Sequence, residues 1–302
     1  MEFFKQRTTI DFMGRARLAL IFSGALILIG ILSVVFRGGL KYGIDFAGGT
    51  LVQLKFKEPP SLDHVRDGLK NLGLGDSAIQ EFGSRSEILI RVQKSEEKLE
   101  DVGSRIKNGL EQALGVKDIV VDRVEIVGPK VGKDLRMKAL LSIFYSLIGI
   151  LVYIAWRFEL RYAVGAIIAT VHDVIITLGA FSLLNMEFDL VVVAGFLTLI
   201  GYSLNDTIVV YDRVRENARR ESKTSLFDVI NASVNQTLSR TILTSGCTLL
   251  VVIALYFFGG EIIHGFAFSL LVGIFVGTYS SIFIASVCVL FWENKSLSFK
   301  RA

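Results

Sequence analysis

Residues 201–213 read GYSLNDTIVVYDR, an apolar run that holds Asp206 in its interior, behind Asn205. A carboxylate at membrane depth costs about 3 kcal/mol on insertion scales, so an ionisable residue kept there points to proton or ion chemistry. Asp206 lies five residues before the run ends at Tyr211. At about 1.5 Å per residue this is roughly 8 Å below the boundary. Arg240 opens a later apolar run, and its long side chain reaches a similar depth, so the spacing allows an ion pair. Helical spacing sets Thr198, Tyr202 and Ser203 beside Asp206, and Thr244, Cys247 and Thr248 beside Arg240. A third run aligns Thr170, Asp173 and Thr177, with His172 adjacent. Such stripes avoid lipid and face one another or a wet cavity. The competing account is that polar pairs only fix helix packing. For His172 and Asp173 the spacing leans toward packing. For Asp206 it favours a titratable site: Asp206 and Arg240 as a proton relay, with His172, Asp173 and Asn205 as a secondary polar relay.

The elements that must carry these residues follow from composition. The chain has 302 residues, is 52% hydrophobic and has a mean hydropathy of +0.54. Six apolar runs reach the length of a bilayer-crossing helix, at 18–36, 139–156, 162–184, 190–211, 241–258 and 266–292. Lys and Arg cluster at 5–17, 157–161, 213–223, 240 and 295–301, while the short loops 185–189 and 259–264 hold none. The positive-inside rule then places both termini in the cytoplasm and 37–136 outside. The net charge of +4 is explained by topology, which argues against nucleic-acid binding. Cys247 and Cys288 both fall within expected spans, so no structural disulfide is expected. The first run ends without a small-residue cleavage site and reads as a retained helix.

Between spans one and two lies soluble sequence. Strand patterns at 50–56, 78–82, 87–92 and 119–127 alternate with helical patterns at 61–72 and 95–114. The order βαββαβ predicts a ferredoxin-like α+β sandwich. Gly48 and Gly49 read as a turn or bulge entering the first strand, or equally as a binding contact. Within 212–239, residues 226–238 place Leu226, Val229, Ile230, Val234 and Leu238 near one face, which suits an in-plane interfacial helix or a short soluble one. Gly273 and Gly277 form a GxxxG packing motif in the sixth span. The fold class is thus a polytopic α-helical membrane protein, one span plus five. Residues 1–36 form the N-terminus and first span, 37–136 the exterior domain, 137–292 the other spans and 293–302 the tail.

Five stretches carry a resemblance: YGIDFAGGT at 42–50, VGPKVGKDL at 127–135, GYSLNDTIVVYDRVREN at 201–217, NQTLSRTILTS at 235–245 and LVGIFVGTYSSIFIA at 271–285. Together, in this order, they resemble the SecD/SecF family of protein-export membrane proteins, on its SecF side, within the proton-driven RND superfamily. The resemblance implies a SecD partner and attachment to the SecYEG channel. It also implies use of the proton-motive force to help complete export of unfolded polypeptide after SecA has acted. It implies the bacterial inner membrane, with its lipid as surroundings, and neither a cofactor, a metal nor an enzymatic activity. The family's span-four Asp falls on Asp206, its span-five Arg on Arg240 and its HD pair on His172 and Asp173. Its glycine motif falls on Gly43, Asp45, Gly48 and Gly49. A passive scaffold holding SecD at the channel and half of a small-molecule efflux transporter are the alternatives. The small exterior domain argues against efflux.

Overall fold

The computed structural model describes residues 8–75, 77–92, 99–221 and 223–299. The expected helix start at Ser95 and the charges at residues 5, 7, 300 and 301 lie outside the described residues. A 3-10 turn leads into α1 (Ala16–Phe36). The exterior segment runs α2 (Ile44–Ala47), β1 (Gly49–Lys55), α3 (Leu62–Asn71), β2 (Ala78–Phe82), β3 (Ser84–Val92), α4 (Leu99–Leu114) and β4 (Val120–Val127). The chain then re-enters the bundle through α5 (Pro129–Arg157), α6 (Leu160–Leu183), α7 (Leu190–Arg220) and α8 (Leu226–Phe258). The last span is α9 (Glu261–Ser280), a π-turn at Ser281–Ala285, and α10 (Ser286–Phe299). Six of these stretches are long and apolar enough to cross a membrane.

The four strands order β2-β3-β1-β4, with every neighbouring pair antiparallel. Strand alternation sends Val52, Leu54, Ile88 and Ile90 to one face, where Val65 and Leu69 of α3 and Val102, Ile106 and Leu110 of α4 bury them. The opposite face carries Leu51, Gln53, Leu89 and Arg91 and turns toward the end of the bundle. It roofs a cavity of about 370 Å³ whose floor includes Asp45, Asp189, Leu190 and Ile262. Alternation predicts both faces from sequence. Only the fold shows that the second face is also covered.

Within the bundle, α6, α7 and α9 are central, each with more than half of its apolar window buried. The flanking helices α1, α5 and α8 bury less than a fifth. Tight packing at the centre depends on missing side chains. A Cβ on Gly273 would lie 2.2 Å from the Leu199 side chain, and one on Gly277 would lie 3.1 Å from Ser203. The GxxxG pair therefore seats α9 directly on α7.

One element differs from expectation. Residues 226–238 form no separate in-plane helix but are the first half of the continuous 33-residue α8. Their apolar stripe, Val229, Ile230, Val234 and Leu238, packs against Val210, Tyr211 and Val214 of α7 and against Met13. Asn217 Nδ2 donates to Ser233 Oγ at 2.9 Å, and the N-terminal strap hydrogen-bonds Asn231 and Asn235 through Phe12 and Ile10. The stripe thus finds a protein partner, which removes any need for an interface.

Candidate proton site in the helix bundle

Two carboxylates lie inside the bundle. Asp173 on α6 is fully buried, with 0% of its surface exposed. Its Oδ2 accepts from Ser203 Oγ of α7 at 2.6 Å and from Ser280 Oγ of α9 at 2.8 Å. Its Oδ1 lies 2.8 Å from His172 Nδ1. Three central helices are thereby tied to one side chain. The other imidazole nitrogen, Nε2, is buried and has no hydrogen-bond partner among the described residues, and the ring stacks on Tyr279.

Asp206 on α7 is 3% exposed. Its Oδ2 accepts from Ser245 Oγ of α8 at 2.8 Å, and that hydroxyl in turn accepts from Thr278 Oγ1 of α9 at 2.9 Å. Arg240 is exposed, acts on the carboxylate through space, and forms no ion pair with it among the described residues. The expected contact is absent because Arg240 sits on the outward side of α8, whose buried face carries Thr241, Ser245 and Val252.

Other expected neighbours divide in the same way. Ser203, placed beside Asp206 by spacing, serves Asp173 instead. Asn205, Thr198 and Cys247 are exposed and face away from both carboxylates. Tyr202 does cross to α8, where its hydroxyl meets Thr248 Oγ1 at 3.1 Å and Thr244 O at 3.3 Å. Thr170 and Thr177 are buried but spend their hydroxyls on carbonyls of their own helix, at Ala166 and Asp173. Sequence reasoning missed Ser245, Thr278 and Ser280. The signal available in the sequence is the i, i+4 step from Thr241 to Ser245, one position away from the Arg240, Thr244, Thr248 stripe.

The glycine motif forms a junction. Gly43 N donates to Phe188 O at 3.0 Å, and Asp45 Oδ2 accepts from Leu190 N, also at 3.0 Å, in the first turn of α7. Gly48 adopts φ +76°, which favours glycine, and a Cβ there would press on Val127 O and on Pro129. Arg136 of α5 donates to Phe46 O at 2.9 Å and lies over the Tyr42 ring. Around this junction Glu187 pairs with Arg91 of β3 and, at 3.2 Å, with Lys41. Asp189, whose side chain caps α7 at Val192 N, is raised above the ordinary aspartate range by burial, and the nearby Asp45 charge adds to this. Burial lowers Arg91, with Asp189 and Asp45 opposing.

This arrangement defines a multi-pass membrane protein with ionisable groups inside its bundle and a small α+β domain docked on one end. Two family descriptions match it: the C-terminal region of protein export membrane protein SecD/SecF over residues 107–295, and the SecD/SecF GG motif over residues 34–60. The protein translocase subunit SecF of Calditerrivibrio nitroreducens is 51% identical over 289 residues, covering 95% of each chain. That of Escherichia coli O157:H7 is 41% identical, covering 94% of this chain and 88% of the relative. A crystal structure of SecDF from Thermus, described as a translocon-associated membrane protein, superposes with a TM-score of 0.81 at 37% identity. It covers 97% of this chain, which spans 40% of the length of that one. The chain belongs to the SecD/SecF family of protein export membrane proteins.

Proposed function

We propose that this chain is the SecF-type subunit of a protein translocase. It works beside a SecD partner and draws on the proton-motive force to help complete export through SecYEG after SecA has acted. In this reading the α+β domain is a ferredoxin-like periplasmic domain. Both termini are cytoplasmic and the bundle lies in the bacterial inner membrane. Asp206 takes up and releases the proton, and Arg240 supplies the neighbouring positive charge. Supporting the partner, the exposed Asn205 and Arg240 sit on the α7 and α8 faces with nothing among the described residues to cover them. Polar side chains at such depth turn toward protein or water.

The observation that carries the reading is the Asp206 site itself: a buried carboxylate with, among the described residues, a single side-chain donor and a cation that acts on it through space without an ion pair. A carboxylate locked in an ion pair cannot readily cycle, whereas among the described residues this one keeps an oxygen without a hydrogen bond. Asp206→Asn keeps the shape and the Ser245 hydrogen bond but cannot titrate. With SecD and SecYEG in inverted vesicles, it is expected to abolish the gradient-dependent part of late cargo translocation while leaving abundance unchanged. Full gradient stimulation in the variant would sink the proton role and leave a passive scaffold. Orientation is checked separately in a chain stripped of its native cysteines. Ser84→Cys is expected to react with an impermeant reagent from outside in intact cells, and Lys223→Cys is not.

A further inference from the structure

The two carboxylate sites meet on one short stretch of α9. Thr278 serves Asp206 through Ser245, and two residues later Ser280 serves Asp173 directly. The stretch leads straight into the π-turn at Ser281–Ala285. There Ser281 Oγ donates to Thr278 O at 2.9 Å, and Tyr211 Oη of α7 donates to Ala285 O at 3.0 Å. Single π-turns in a helix recur at functional positions, because they free backbone groups and admit two registers.

The hydroxyl chain has a direction. Ser245 has one proton, which it donates to Asp206 Oδ2, so its lone pair accepts from Thr278. The order is Thr278 to Ser245 to carboxylate. Protonation on the open Oδ1 leaves Oδ2 a neutral carbonyl oxygen, a weaker acceptor for Ser245 than the carboxylate. The Ser245 hydrogen bond loosens, and with it the Thr278 contact that rests on the same hydroxyl. No proton passes along the chain; the two hydroxyls are released to reorient. Arg240 of α8 is the charged group that acts on Asp206, while His172 and Asp173 of α6 face α9 from the other side.

We propose that Thr278, acting through Ser245, is a positioning residue for Asp206, and that it passes the protonation state of Asp206 to the sixth span beside its π-turn. The inference rests on the reading of Asp206 as the proton-exchanging group. Its test uses the full chain in complex with SecD, with two measurements: the infrared carboxyl band of Asp206, assigned by its loss in Asp206→Asn, and gradient-stimulated translocation. Thr278→Val keeps the shape and removes the hydroxyl, and is expected to displace the band and reduce gradient stimulation on the order of tenfold, the worth of one hydrogen bond. Thr278→Ser restores both. Ser245→Ala does the same damage as Thr278→Val, and the double variant is no worse than either single one, as members of one chain behave. An unmoved band in Thr278→Val, or losses that multiply in the double variant, would overturn this inference alone. Absence of any Asp206 band, with full stimulation in Asp206→Asn, would take the proton reading down with it.

Discussion

Asp173 and Asp206 are the same chemical group on adjacent central helices, yet their surroundings differ. Asp173 is enclosed completely and holds two hydroxyls and an imidazole from three helices. Asp206 faces the looser α8, accepts one hydroxyl and has an unpaired cation nearby. The first is built as a knot, in which both oxygens are held by donors. In the second, among the described residues, one oxygen has no hydrogen bond. Burial alone does not distinguish the two carboxylates; the number of fixed donors does, and on the proposed reading that difference leaves Asp206 the one able to change state.

The comparison breaks most sharply at the knot. Asp173→Ala strands His172 Nδ1 and Ser203 in an apolar interior and leaves Ser280 only its bond to Gly277 O at 3.1 Å. Each buried polar group left unmatched costs about 1–3 kcal/mol, so the loss is expected to be about 3 kcal/mol or more. Reversible unfolding in mixed micelles would measure it, and a loss no larger than that of Asp206→Ala would erase the distinction between the sites. Next comes the helix contact that holds both. Gly277→Leu drives a side chain into Ser203 and overpacks the α7–α9 seam, at about 1–3 kcal/mol. The same assay reads it, and Gly149→Leu, facing open space on α5, serves as the neutral control. Asp206→Asn is expected to change stability by less than about 0.5 kcal/mol, because Ser245 still finds an acceptor. A larger change would mean that the site is structural.

The smallest effect concerns pH at the junction. Burial raises Asp189, so its carboxyl gives up the proton less readily in the folded chain than in the unfolded one. The sign follows: its contribution to stability is full below the unfolded value and is lost as pH rises through the folded one. Asp189→Asn retains the helix cap. It is expected to flatten the mild-acid decline in melting temperature. An unchanged pH profile would refute this assignment.

Much of the architecture was legible from the chain. The six spans follow from apolar length, and the βαββαβ order follows from local alternation and turn residues. The π-turn and α2 left no comparable signal. A four-residue helix between Gly43 and Gly48 forms because its ends are held by Phe188, Leu190 and Pro129, all distant in sequence. The separate helix expected at 226–238 failed for a related reason. Its apolar stripe was real, but amphipathicity does not say whether the covering surface is lipid or another helix.

What the sequence determined by itself was which segments are long and apolar enough to cross a membrane, that a folded domain interrupts them, and that Asp206 and Asp173 fall inside them. What only the tertiary structure decided was the rotation of each helix. In a soluble protein the apolar stripe reports that rotation, because the outer face is polar. In a bilayer both faces of a helix are apolar, so hydropathy is silent about phase. One residue of error turns a side chain by about 100°. That single step separates Ser245, bonded to Asp206, from Thr244, whose hydroxyl turns back to Arg240 O of its own helix, and it leaves Arg240 exposed.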